Sequence, residues 1–409
     1  MSSFRHLFFH LQKYGTKNRP LYVFATMILF WCIFEGIISY LIPIWITQNG
    51  ISDTLMGVIV GSSSVAGALF DFVMCRILKS TFYRRVLLLM FSFSLLFSLI
   101  LFQAHTFTLF LLMAVLWGIA FDLANYGNFN FVSHTSEKQE FTDHFGVIQV
   151  FKSLGYLLAP ILAAAAIGEV VDWQPFALAW LFLGLGVVML IILLFLTRKV
   201  KEEIPQAKQR VNLWREFHIW KHIVKILLPV LILTFTLNLF DSAFWTIGPL
   251  ISQSFNQSFH GLFMVAYLLP VLLVGWFVGS LTTKLGKKRT AFGALFLGSL
   301  IMSFLYFAQS SIFSAILVFA GSFFLAFAWP SINSAYADYM EETIQYEQEI
   351  EGIEDFFVNI GYFVGPILAG FLADLVGIQS AFALFGVLGT FIAIILFTTT
   401  PKKIRVKSV

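Results

Sequence analysis

The chain has 409 residues, of which 59% are hydrophobic and only 12% charged, with a formal net charge of +4. A water-soluble domain keeps roughly a quarter of its residues charged, so this composition excludes a soluble globular protein and turns most of the surface towards lipid. The mean hydropathy of +0.85 points the same way.

Apolar runs long enough to cross roughly 30 Å of hydrocarbon as helices recur along the whole chain. Twelve are expected, at 21–47, 54–78, 83–104, 107–132, 145–167, 176–197, 226–250, 259–282, 290–308, 312–336, 355–376 and 380–399. The first is too long and too late for a cleaved signal peptide and is expected to remain. Lysines and arginines alternate sides. All but Lys152 fall in the N-terminal segment, in 76–85, at Lys138, in 198–225, in 284–289 and in the C-terminal tail. The alternate loops, near 48–53, 105–106, 168–175, 251–258, 309–311 and 377–379, hold none. This asymmetry places both termini and the basic loops in the cytoplasm of a multi-pass protein of the plasma (inner) membrane. The positive balance is explained by topology, and nucleic-acid binding has no part in it. Cys32 and Cys75 both lie in apolar runs, which leaves no disulfide framework and no cysteine zinc site. His218 and His222 have an i, i+4 spacing, but NLWREFHIWKHIVK is better suited to an amphipathic helix on the inner leaflet, and two further metal ligands are missing. With no nucleophile–base set and no phosphate-cradling glycine loop, catalysis is not expected, and no cofactor or metal is implied.

The chain also repeats itself. FKSLGYLLAPILA (151–163) and FVNIGYFVGPILA (357–369) align without a gap at an offset of 206 residues. The same offset superposes Phe34-Glu35 on Phe240-Asp241 and Pro43 on Pro249. The expected organisation is a short N-terminal segment (1–20), a six-helix bundle (21–197), a linker with an amphipathic helix (198–225), a second six-helix bundle (226–400) and a tail (401–409). Each half then carries a carboxylate in its first span, eight residues before a proline. An intramembrane charge costs about 2.5–3.5 kcal/mol on insertion scales and marks a functional position by default; a hydrogen-bonded packing residue is the alternative. Asp122, Asn125, Asn128 and Asn130 make span 4 polar. Asp122 and Asn125 share a helix face, and depth counting brings Asp122 within reach of Lys152 on span 5. Such a pair serves either mutual neutralisation or coupling. Asn238 is placed to offer an amide beside Asp241.

Twelve spans in two related halves with a basic central loop resemble the major facilitator superfamily. The closest motif match runs from Gly279 through Thr283, Lys284, Gly286, Lys287 and Lys288 to Arg289. It is similar to the family's loop G-x-L-x-D-R-x-G-R-R, with Thr283 where an aspartate is usual. The first half keeps Gly67-Ala68-Leu69-Phe70-Asp71 and then departs before Arg84-Arg85. Gly361, Gly365, Pro366, Ala369 and Gly370 resemble a glycine–proline motif of the family's exporters, here best preserved in span 11. The family's span 4 arginine corresponds to Ala114, so the arginine-dependent relay does not carry over. The resemblance implies an all-α membrane fold of two pseudo-symmetric six-helix bundles that works by alternating access around a cavity lined by spans 1, 4, 7 and 10. It also implies an inner gate in which Asp71, Arg84 and Arg85 meet the acid-rich loop before span 11, with Gly279, Lys287, Lys288 and Arg289 as the second copy. Pro43, Pro249, Pro160 and Pro366 would bend their helices for rocking. Gly57-x-x-x-Gly61 and Gly275-x-x-x-Gly279 suit close helix packing.

The expected function is secondary active transport of a small molecule, coupled to protons through Glu35 and Asp241, by a monomer in the lipid bilayer. The acids, with Trp31, Tyr40 and Trp245 nearby, favour export of amphipathic or cationic compounds. A sugar or peptide uptake symporter uses the same architecture, and a non-transporting receptor or scaffold is the third reading.

Overall fold

Within hydrocarbon every backbone N–H and C=O must find its partner inside the chain, and the long apolar runs meet that demand as helices. A computed structural model describes residues 19–77, 83–136, 140–168, 170–198, 213–255, 260–274, 278–308, 310–342 and 346–400, with the side chains at 72–77, 142, 213–219, 280, 342, 347 and 348 also outside the description. In chain order the helices are α1 (Arg19–Gln48), α2 (Asp53–Ile77), α3 (Tyr83–Gln103), α4 (Phe107–Thr135), α5 (Phe141–Ala166), α6 (Trp173–Leu196), α7 (Leu213–Gln253), α8 (Leu262–Val274), α9 (Val278–Leu285), α10 (Lys287–Ser303), α11 (Ser311–Glu342), α12 (Glu347–Val376) and α13 (Ile378–Thr399). Eleven of them are long and apolar enough to cross a membrane among the described residues. The two that are not, α8 and α9, flank residues 275–277 and together occupy the expected eighth span.

Two boundaries differ from expectation. The helix carrying span 7 starts at Leu213, well inside the expected linker, and runs unbroken for 41 residues; its Trp220 ring lies 6.2 Å from that of Phe356 on α12. The acid-rich stretch before span 11, read as a loop, is helical from Glu347 onwards. Carboxylates in a first helical turn are favoured by the macrodipole, which accounts for the early start.

The repeat seen in the sequence is a repeat in packing. A Cβ added at Gly155 would lie 2.7 Å from Cys32 Cβ and 2.9 Å from the Leu29 carbonyl. At Gly361 it would lie 2.7 Å from Asn238 Cβ and 2.9 Å from the Phe235 carbonyl. Every residue in the second contact is 206 positions after its counterpart in the first. Span 5 therefore lies on span 1 as span 11 lies on span 7, with the glycine in the same place.

α12 also ties the repeats together, because its other side packs on α2. Side chains at Gly57 and Gly61 would collide with the carbonyls of Pro366 and Phe363, so the two backbones touch there. Beyond them, Asp374 Oδ1 accepts the Asp53 N–H at 3.2 Å, and its Oδ2 accepts the Thr54 N–H at 2.9 Å and the Thr54 hydroxyl at 2.5 Å. The free N–H groups of the α2 start are thus capped by a carboxylate from the other repeat. Gly261 (φ +81), just ahead of α8, lies against Pro160 on α5 in the same way. These contacts gather towards the end of the bundle whose loops hold no lysine or arginine.

Candidate functional site

α1 is buried around almost its whole circumference, so its single acid is withdrawn from lipid. Glu35 is 3% exposed. Its Oε1 accepts the Ser39 hydroxyl at 2.6 Å and the Trp117 indole N–H, from α4, at 3.0 Å. Tyr156 on α5 leans its hydroxyl towards the same carboxyl but reaches it outside hydrogen-bonding geometry, and the oxygen is buried with no other partner.

Asp241, in the middle of α7, is half-buried. Tyr267 on α8 donates to Oδ1 at 3.1 Å and Tyr362 on α12 donates to Oδ2 at 2.5 Å. The Tyr267 ring stacks on Phe244 at 3.8 Å, which fixes its direction. Tyr156 and Tyr362 are 206 positions apart, as are Glu35 and Asp241. Each repeat thus sets a span 1-type carboxyl beside a span 5-type tyrosine. The two sets meet where the repeats meet: Tyr156 packs edge-on to Trp245 of α7 with centroids 6.1 Å apart, and Glu35 lies within electrostatic reach of Tyr362. The tyrosines escaped the sequence reading although both sit in the quoted repeat; the offset they share with the acids was the available signal. Trp117, Tyr267 and Ser39 gave none.

The Asp122–Lys152 pair allowed by depth counting is not made. Lys152 donates to Asn125 Oδ1 at 3.3 Å and lies 5.7 Å from the centre of the Phe121 ring. Asp122 turns instead to Gly67 on α2, in electrostatic reach of Asp71 and Asp355. Counting along an axis gives depth but not direction around the helix. Asn238 does not offer its amide beside Asp241: it is buried and donates to the Thr234 carbonyl of its own helix at 2.7 Å.

Asp71 faces the N-terminal part of α12, as the resemblance implies, but it meets a like charge there, Asp355. Arg84 donates to the Thr197 carbonyl at the end of α6 and stacks on Tyr83, contacts within its own repeat. Arg85 is exposed on the same turn. Lys287 bonds Asp338 at 2.6 Å and the Ser334 carbonyl at 3.0 Å, joining α10 to α11. Gly286 begins α10 at φ +86, a conformation that favours glycine and explains the glycine of the basic loop. Lys288, half-buried, and Arg289, exposed, follow it. Gly279 has open space around it, so close packing does not account for it, and Gly275 lies outside the described residues. Pro43, Pro160, Pro249 and Pro366 all lie inside helices. His222 is exposed, and the His218 side chain lies outside the described residues.

Compared with protein families, the sequence matches the model of the Major Facilitator Superfamily over residues 23–343 and 230–408. Compared with curated proteins, it matches none. Among solved structures the fold is similar to a mutant of the nucleoside transporter NupG, at 15% identity and a TM-score of 0.72 over 93% of this chain and 99% of that one. It is similar to a bacterial homologue of the human lysosomal transporter Spinster in an inward-facing, occupied conformation, at 11% identity and 0.72 over 94% and 97%. A POT family transporter in complex with 5-aminolevulinic acid superposes at 13% identity and 0.71, over 94% and 96%.

Proposed function

The chain belongs to the major facilitator superfamily and is a multi-pass membrane transporter, and from that premise we propose that it moves a small molecule by alternating access, coupled to protons through Glu35 and Asp241. The observation that carries the reading is the pair of repeat-related carboxyls, each beside a repeat-related tyrosine, converging on the junction between the repeats. A carboxyl that binds a proton from one side and releases it to the other couples flux to the proton gradient. Two such groups on opposite repeats change surroundings together when the repeats rock.

Both acids are engaged by neutral donors. That suits groups that load and unload protons more than groups that grip a cationic solute, so the preference for cationic compounds drawn from these acids and their aromatic neighbours gains no support from them. The positive-inside distribution puts the basic loops in the cytoplasm of the inner membrane. On that orientation the α2–α12 and α5–α8 contacts close the outer mouth. The Asp374 cap and the touching glycines are the bolts of that closure, while Asp71 and Asp355 oppose each other near the inner mouth. The protein works as a monomer on this reading, because both carboxyls and their partners come from one chain.

The test is reconstitution into liposomes containing a pH dye, with a panel of nucleosides, peptides, sugars, organic acids and cationic amphiphiles. A compound that provokes proton movement supports the reading. Transport that ignores the pH gradient removes the proton from it.

A further inference from the structure

We propose that Lys152, Asn125 and Phe121 form the docking site for an anionic group on the transported solute. The proposal rests on the transport reading above and adds the chemical class of the cargo. Lys152 lies eleven residues beyond the first residue of α5, roughly 16 Å along the helix. An ammonium has three donors, yet its contacts here are one long bond to a neutral amide oxygen and the face of one ring. Among the described residues no carboxylate comes within ion-pair distance of it. Asp122, three residues from Asn125, turns away to α2, and Glu35 lies within electrostatic reach but is held by Ser39 and Trp117.

An unpaired cation at this depth is costly and is retained where something pairs with it. Lys152 and Asn125 are half-buried and Phe121 is 37% exposed, so the face is reachable by a solute. The ammonium looks towards Cys32 and Glu35 on α1, which puts it on the same junction as the two carboxyls. The repeat makes the point sharper. The acids and tyrosines occur twice, whereas the positions 206 residues after Lys152 and Asn125 are Val358 and Ser331. A cation present once in a duplicated frame reads one end of an asymmetric solute. The geometry points to a carboxylate or phosphate with an apolar or aromatic body, the body lying against Phe121 and the Tyr156–Trp245 pair.

The test uses the full chain in detergent, with thermal unfolding and tryptophan fluorescence as readouts and four matched probes: benzoate, phenyl phosphate, benzamide and benzylammonium. Benzoate or phenyl phosphate should raise the unfolding temperature and bind at least tenfold more tightly than benzamide and benzylammonium, and whichever binds better identifies the acid. Lys152→Met should lose that binding at least tenfold, with Lys152→Gln as the second variant should the first fail to fold. Equal binding of the neutral or cationic probe, anion binding within twofold of wild type in the lysine variants, or no response to either anion overturns the proposal. Proton movement in liposomes is a separate readout, so loss of the anion site leaves the coupling reading standing.

Discussion

Asp374→Ala removes the cap that one repeat places on the first helix turn of the other. Three hydrogen bonds go with it, two to backbone N–H groups and one to the Thr54 hydroxyl. All are exposed to solvent, so water replaces them in part and each is worth the low end of the usual range, about 0.5 kcal/mol. Their sum, about 1.5 kcal/mol, agrees with the roughly 0.5–2 kcal/mol that helix caps contribute. Nothing else in the α2–α12 contact changes, so this energy is lost from the closed arrangement alone. A shift of that size changes the ratio of two conformers about tenfold. The assay is the distance between spin labels at Thr106 and Val376, exposed positions on the lysine-free end of the two repeats, with Cys32 and Cys75 replaced by alanine. The variant should gain a longer-distance population at the expense of the short one. An unchanged distribution refutes the idea that this carboxylate holds the mouth shut.

Three further outcomes follow from single contacts. Glu35→Gln keeps an acceptor for both Ser39 and Trp117 and should alter stability by under about 1.5 kcal/mol, whereas Glu35→Leu strands two buried donors and should cost about 2–4 kcal/mol; denaturation in micelles separates the two, and equal losses would mean the donors are not engaged as described. Gly57→Val puts a side chain into the Pro366 carbonyl and should prop the same mouth open, read as faster cysteine labelling at Thr54→Cys; unchanged labelling counts against backbone contact at that point. Lys287→Met breaks a bridge whose partners are 33% and 52% exposed, so thermal stability should fall by no more than about 1 kcal/mol, and a larger fall would show a buried role for that loop.

The spans were legible because hydrocarbon imposes a length and a polarity that composition records directly, and Lys and Arg alternate with the loops. Helix ends were less so. Hydropathy falls at Lys225 and Asp355, but backbone hydrogen bonding does not depend on hydropathy, and both helices continue past those points into the basic-loop side. The carboxyls Glu35 and Asp241 stood out as charges repeated at one offset. Their partners did not, since tyrosine and tryptophan are ordinary in an apolar chain and only the fold says which of them point inwards. Asp122, Lys152 and Asn238 show the same limit. Depth along a helix was countable, whereas the neighbour each side chain faces depends on how helices from distant parts of the sequence lie together.

The central claim, that Glu35 and Asp241 carry the coupling proton, is tested most directly by solute-driven acidification in liposomes made with wild type, Glu35→Gln and Asp241→Asn. With a solute that moves protons through the wild type, each variant should show no proton movement and no uphill accumulation, while solute exchange at equal concentrations on both sides continues. Full proton movement in both variants would contradict the account.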